Sequence, residues 1–132
     1  MPAPDRPVAR SRPVYLNLVM IRLPLPGIVS FLHRVSGAVL FLFGIPLLLF
    51  AVQGSLAAPE PFASLKSVLG HPLGKLVTIG FVWAYLHHFC AGIRYLRVDL
   101  HVGDDLAPAR RSSVVVLVVS LALTLVVGVR LW

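Results

Sequence analysis

The segment from Val35 to Val52 reads VSGAVLFLFGIPLLLFAV and contains no charged residue. It belongs to an uncharged interval that continues to Pro59, and about 20 such residues are enough for a helix to cross the hydrocarbon core of a bilayer. Backbone groups find no water in that core, so a single segment can satisfy them only as an α-helix. The sequence therefore predicts a membrane-spanning helix here, with Pro46 tolerated inside it.

Two further uncharged intervals have the same character. One lies between Lys75 and Arg94, and the other lies between Arg111 and Arg130. The chain lacks the many alternating segments of about ten residues that a β-barrel requires. We therefore predict an all-α integral membrane protein with three transmembrane helices and a single domain. The predicted segments are a cytoplasmic N-terminal stretch at 1–27 and transmembrane helices at about 29–53, 72–96 and 112–132, within one domain of residues 1–132.

The composition agrees with this class. Apolar residues make up 58% of the 132 residues and charged residues only 13%, about half the share found in soluble domains. The single cysteine, Cys90, excludes an internal disulfide and a thiolate-bound iron–sulfur cluster, which need several cysteines. Nucleic-acid binding is not expected, because the excess of Lys and Arg shows no basic stripe interleaved with aromatic residues. A lipid bilayer is the expected environment.

Positive charge is distributed unevenly around the predicted helices. Arginines are frequent before the first helix and between the second and third, whereas the first connection carries only Lys66 and Lys75. Lys and Arg favour the cytoplasmic side, so we expect a cytoplasmic N-terminus and a periplasmic C-terminus. The first apolar run is too long for a typical signal peptide, and no transit-peptide pattern precedes it. A bacterial inner membrane is the expected location.

Polar residues inside membrane spans are costly and therefore informative. Ser120 and Thr124 of the third span can bond to their own helix backbone, which predicts a scaffold role. In the first span, Ser30 and Arg34 are four residues apart and share a helix face, with His33 beside them. A capping serine and an arginine reaching the membrane surface would also explain this pair.

The second span contains His87 and His88 among aromatic residues. Successive helix positions point about 100° apart, so only one of these histidines can face a given pocket. Gly92 follows His88 by four residues and leaves room for a planar group on the same face. Neutral imidazole is a common haem ligand, but a histidine bonded between helices remains the alternative on these residues alone.

Three sequence elements occur in a fixed order along the chain. They are RPVYLNL at 12–18, SFLHRVSG at 30–37 and HFCAGIRYL at 88–96, the last followed by Asp99. Together with three spans, they make the chain resemble the cytochrome b membrane-anchor subunits of succinate dehydrogenase. The resemblance extends from about residue 12 to residue 132.

The resemblance implies a role for several residues. His88 would be an axial ligand of a haem b iron, with the second ligand supplied by another small hydrophobic anchor subunit. Ser30 and Arg34 would contact ubiquinone, and His33 and Arg34 would lie near the haem propionates. Tyr95 departs from the histidine that is common at its position in the family.

The resemblance also implies partners and a type of activity. An iron–sulfur subunit and a flavoprotein subunit would oxidise succinate, and this chain would be an electron-transfer component without catalytic residues of its own. It would act as an enzyme only within the complex. Two alternatives follow from the hydropathy alone: a purely structural anchor, and a cation-coupled transporter, which the absence of acidic residues inside the spans disfavours.

The charge distribution predicts the topology. A phosphatase reporter that is active only outside the cytoplasm should be active when fused after Trp132 and inactive when fused near Asp104. The reverse pattern of activity would contradict the predicted orientation.

Overall fold

The computed structural model describes residues 22–103 and 105–132. Three helices in these ranges are long and apolar enough to cross a membrane: Leu25–Ala57, Pro72–Asp99 and Leu106–Leu131. The described residues form helices and turns without any strand. The predicted all-α membrane fold with three transmembrane helices is therefore confirmed.

The first spanning helix has three parts. Helix α1 (Leu25–Val39) continues through a π-helical segment (Leu40–Gly44) into helix α2 (Ile45–Ala57). The Ile45 N–H donates to the Leu40 carbonyl, five residues earlier. Pro46 follows directly and has no N–H, so one α-helical hydrogen bond is lost there in any case. The wider turn thus lies where the regular bonding is already interrupted.

A short helix forms the connection to the second span. Ala58 is extended, and helix α3 (Pro59–Gly70) begins on a proline, which suits the first helical turn. His71 then caps helix α4 (Pro72–Asp99), since its Nδ1 accepts a 3.3 Å bond from the Leu73 N–H. A turn with positive φ at residues 101 and 103 leads to helix α5 (Leu106–Leu131).

Helix α4 packs against both α1 and α5. Val29, Ala91 and Val116, one from each spanning helix, form the core. The inward residues of α4 and α5 recur at helical spacing and are mostly small: Ala84, His87, Ala91 and Arg94 on α4, and Ser113, Val116, Ser120 and Thr124 on α5. Small residues let membrane helices approach closely. Large apolar side chains gain little by burial between helices, because lipid is as apolar as the interior of the bundle.

The hydroxyls of α5 are satisfied within the helix. Ser113 donates to the Ala109 carbonyl at 2.7 Å, Ser120 to the Leu117 carbonyl at 3.2 Å, and Thr124 to the Ser120 carbonyl at 2.7 Å. The expectation that Ser120 and Thr124 bond to their own backbone is confirmed. These residues therefore line the contact with α4 without needing a polar partner across it.

Large apolar residues point outward instead. Phe41 and Phe50 of the first span are 70% and 74% exposed on the surface of this chain. An apolar surface of this extent marks contact with lipid or with other subunits. The outer faces of this three-helix bundle therefore contact lipid or other subunits instead of water.

The close contact between α1 and α4 predicts that enlarging a buried alanine destabilises the bundle more than enlarging an exposed one. Ala91→Leu should destabilise the bundle by about 1–3 kcal/mol, because a fully buried position has no room for an isobutyl group. Ala122→Leu, at an exposed position of α5, is the matched control and should have little effect. Thermal unfolding of the purified protein in detergent measures both, and equal melting temperatures would contradict the packing described here.

Candidate functional site

The two adjacent histidines of α4 lie in different environments. His87 is fully buried, and its ring stacks on Trp83 with centroids 5.4 Å apart. His88 is partly exposed and contacts α1. Of the two, only His88 is open to a molecule that approaches from outside this chain.

His87 adds buried polar atoms to the interior of the bundle. Neither of its ring nitrogens, nor Nε1 of Trp83, has a hydrogen-bond partner among the described residues. Buried polar groups usually find a partner, and an unpaired one costs stability. His87 is thus enclosed by its own chain and does not reach the surface where a ligand would bind.

His88 is held against α1 by its Nδ1 atom. This nitrogen lies 3.0 Å from the backbone carbonyl oxygen of His33 and 3.3 Å from Oγ of Ser36. The Ser36 hydroxyl itself donates to the same His33 carbonyl at 3.0 Å. Two donors from two helices therefore converge on one backbone oxygen.

These contacts determine which tautomer of His88 fits. A carbonyl oxygen can only accept, so Nδ1 of His88 carries the hydrogen and donates it to His33. In a neutral imidazole the other nitrogen, Nε2, then has a free lone pair. No described residue bonds to this Nε2 atom. Histidines that bind metals are commonly oriented in this way, with the second ring nitrogen donating to a carbonyl.

Gly37 provides the space that the His88 ring occupies. A Cβ atom built on Gly37 would lie 2.8 Å from Cε1 of His88, closer than such atoms approach one another. Gly37 is the last residue of the SFLHRVSG element at 30–37. Its specific neighbour could not be predicted, although its four-residue spacing from His33 places both on one face of α1.

A second imidazole covers one side of His88. The rings of His33 and His88 stack with centroids 4.2 Å apart and an angle of 12°, and Tyr95 lies 5.1 Å from His33. A Cβ atom on Gly92 would meet only Nε2 of His33 within 4 Å, at 3.9 Å. The structure thus brings together His33, His88 and Tyr95, with Gly92 leaving open space beside them.

Ser30 and Arg34 lie one helical turn apart on α1, beside this cluster. Ser30 is half-buried and Arg34 is exposed. Within the described part of the chain, no hydrogen bond or ion pair joins them. Both side chains are therefore free to contact a molecule at the surface of the bundle.

Two cavities formed by the described residues lie elsewhere. The larger, of about 440 Å³, is lined by residues of α3 and the start of α4, including Phe62 and Lys75, and the smaller lies at Arg94 and Arg97. Neither is lined by Ser30, Arg34 or His88.

Arg94 has a separate role that sequence reasoning did not identify. This side chain is only 8% exposed and donates from Nε to Ser112 Oγ at 3.0 Å and from Nη2 to the Ala109 carbonyl at 3.5 Å. It therefore ties the end of α4 to the start of α5. The partners lie across a turn, so no short-range pattern in the sequence would reveal them.

Fold and site together define a class: a small α-helical membrane protein with a polar, histidine-bearing face on one side of a three-helix bundle. The sequence model of the succinate dehydrogenase/fumarate reductase transmembrane subunit matches residues 9–127. This chain belongs to that family of transmembrane subunits.

Two relatives match this chain over most of their own length. The succinate dehydrogenase cytochrome b556 subunit of Coxiella burnetii is 37% identical over 123 residues, which covers 92% of this chain and 98% of the relative. The protein of the same name from Paracoccus denitrificans is 33% identical over 120 residues, covering 89% and 92% respectively. The similarity thus extends over most of the chain.

Proposed function

We propose that this chain is the haem b-binding membrane-anchor subunit of a succinate dehydrogenase, which helps to transfer electrons from succinate to ubiquinone. Membership of the family already makes it a membrane subunit of a larger complex. The single observation that carries the haem proposal is the geometry of His88. Its Nδ1 bonds to the His33 carbonyl, and its Nε2 remains without a partner at the surface of the bundle.

The residues present fit a haem group. His88 offers one neutral imidazole nitrogen, and no cluster of three potential ligands occurs among the described residues. A haem iron, which is held mainly by its own ring, would need only a single imidazole from this chain. We therefore propose that a second hydrophobic anchor subunit supplies the other axial ligand.

When bound, haem b would supply a one-electron redox couple within the membrane. The role of this chain is then to hold and orient the group. His88 would bind the iron through Nε2. His33, which stacks on His88, and Arg34 are proposed to lie near the propionates, since guanidinium groups bind carboxylates strongly.

Ser30 and Arg34 are proposed to bind ubiquinone. The reduction of a quinone takes up two electrons and two protons, so its site must lie near water as well as near an electron donor. Both residues lie near the end of the first span that the charge distribution assigns to the cytoplasm. The serine hydroxyl can donate to a quinone carbonyl, and the guanidinium can stabilise negative charge on that oxygen.

The remaining subunits follow from this assignment. This chain has a single cysteine and no nucleotide-binding pattern, so the flavin and iron–sulfur chemistry would belong to two other subunits. We propose that they dock on the cytoplasmic side of a bacterial inner membrane, with the C-terminus of this chain in the periplasm.

The haem assignment predicts different effects at the two adjacent histidines. In the assembled complex, His88→Leu should abolish the low-spin b-type difference spectrum, because the ligand atom is removed. His87→Leu should leave that spectrum in place, since leucine is close in volume and His87 is enclosed by its own chain, away from the surface of the bundle. Reduced-minus-oxidised spectra, normalised to the amount of complex, measure both.

A normal spectrum in His88→Leu would assign the ligand elsewhere. Complete absence of a b-type band in the unmodified complex would favour the alternative of a purely structural anchor.

The quinone assignment predicts selective loss of one activity. Ser30→Ala and Arg34→Leu should lower succinate-to-quinone turnover by about 10²–10³-fold, the usual effect of removing a donor to a developing oxyanion. Succinate oxidation by an artificial dye should continue, because the dye takes its electrons before the quinone. Ser55→Ala and Arg110→Leu, at positions away from this face, are the matched controls. Unchanged quinone turnover in both site variants would refute the assignment.

A further inference from the structure

Gly37 stands apart from the other glycines in what surrounds it. The three atoms nearest to a Cβ built on Gly37 all belong to His88: Cε1 at 2.8 Å, Nδ1 at 3.2 Å and Nε2 at 3.8 Å. Gly80 has nothing within 4 Å, and Gly128 meets only a side chain of isoleucine at ordinary contact distance. The missing side chain of Gly37 therefore makes room for an imidazole and not for the backbone of a neighbouring helix.

The hydrogen bonds of His88 depend on this close approach. Nδ1 reaches the His33 carbonyl at 3.0 Å while the ring edge lies in the space that a Cβ atom on Gly37 would need. Distances beyond about 3.5 Å would break such a bond. Any side chain at residue 37 must push the ring away, and the ring would then lose the contact that orients it and selects its tautomer.

From this geometry we infer that Gly37 is a positioning residue for His88. Its lack of a side chain lets the imidazole dock on the His33 carbonyl with Nδ1 protonated, and so directs the Nε2 lone pair outward. The inference rests on the proposed function, in which Nε2 binds the haem iron. Ser36 contributes less, because its hydroxyl lies 3.3 Å from Nδ1 and donates to the same carbonyl.

The decisive variant is Gly37→Ala in the assembled complex. Loss of the groups that orient a metal-binding histidine typically lowers metal affinity 10–100-fold, and we expect haem retention to weaken by that factor. We also expect the remaining haem to bind carbon monoxide after reduction, because a weakly held axial ligand can be displaced. Gly80→Ala, on the exposed side of α4, is the matched control and should behave as the unmodified protein.

Ser36→Ala provides a graded comparison. The His33 carbonyl still accepts from His88 in this variant, so we expect a smaller change in the spectrum and in carbon monoxide binding than in Gly37→Ala. An effect of Ser36→Ala that equals or exceeds that of Gly37→Ala would overturn the assignment of the main positioning role to Gly37.

A double variant separates positioning from simple packing. In His88→Gly, free imidazole added to the medium can take the place of the missing side chain, and it is not tethered to α4. Adding Gly37→Ala to this background should then have little further effect on imidazole-supported haem binding. Strong coupling of this kind is expected only when the two residues act on each other.

The outcomes distinguish this inference from the function on which it rests. If Gly37→Ala alone fails to assemble but the double variant of Gly37→Ala with His88→Gly assembles, the result would support a clash between residue 37 and the His88 ring. Failure of both to assemble, or a spectrum and carbon monoxide response of Gly37→Ala equal to those of Gly80→Ala, would overturn the positioning role. A normal low-spin spectrum in His88→Leu, or the absence of a b-type band in the unmodified complex, would instead overturn the ligand assignment itself.

Discussion

Close packing of small residues is the constraint on which this bundle depends. In lipid, a leucine gains nothing by turning toward another helix, so the helices associate where side chains are short enough to let backbones approach. Ala91 on α4 packs with Val29 of α1 and Val116 of α5, while large aromatic residues such as Phe41 and Phe50 point outward. The space between the helices is therefore narrow, and each bulky or polar side chain inside it needs its own packing or hydrogen-bonding arrangement.

Arg94 and His87 are both buried in the bundle, but they differ in their hydrogen bonding. Arg94 is buried but bonded to the hydroxyl and carbonyl at the start of α5, where the helix ends meet. His87 is buried between aromatic and aliphatic neighbours with both nitrogens unbonded among the described residues. His88, one position further on, avoids this cost because a backbone carbonyl of α1 is within reach. At the contact between α1 and α4, a polar side chain can therefore make a hydrogen bond and still remain partly exposed.

Sequence alone predicted the fold because the relevant signal is local. Uncharged runs of sufficient length specify spanning helices whatever surrounds them, and Ser120 and Thr124 bond within their own helix as expected. The candidate site was only partly predictable. Spacing indicated that one of two histidines would face a pocket, but burial of His87 depends on how three helices meet. The contact between Gly37 and His88 joins residues far apart in the chain, so no periodicity within α1 or α4 reveals it.

The π-helical segment at Leu40–Gly44 has a consequence for how the first span could change during evolution. A π turn holds one residue more than the α-helical turn it replaces, and one residue corresponds to a rotation of about 100° around the helix axis. Because the π turn absorbs that extra residue locally, removing one residue there would restore a regular α-helical turn and keep Leu25–Val39 and Ile45–Ala57 in their present relative orientation. The segment thus separates the half of the helix that carries His33 and Ser36 from the half whose large side chains, such as Phe50, are exposed. The length of the first span can therefore change by one residue at this segment without turning the residues of either half to a new face.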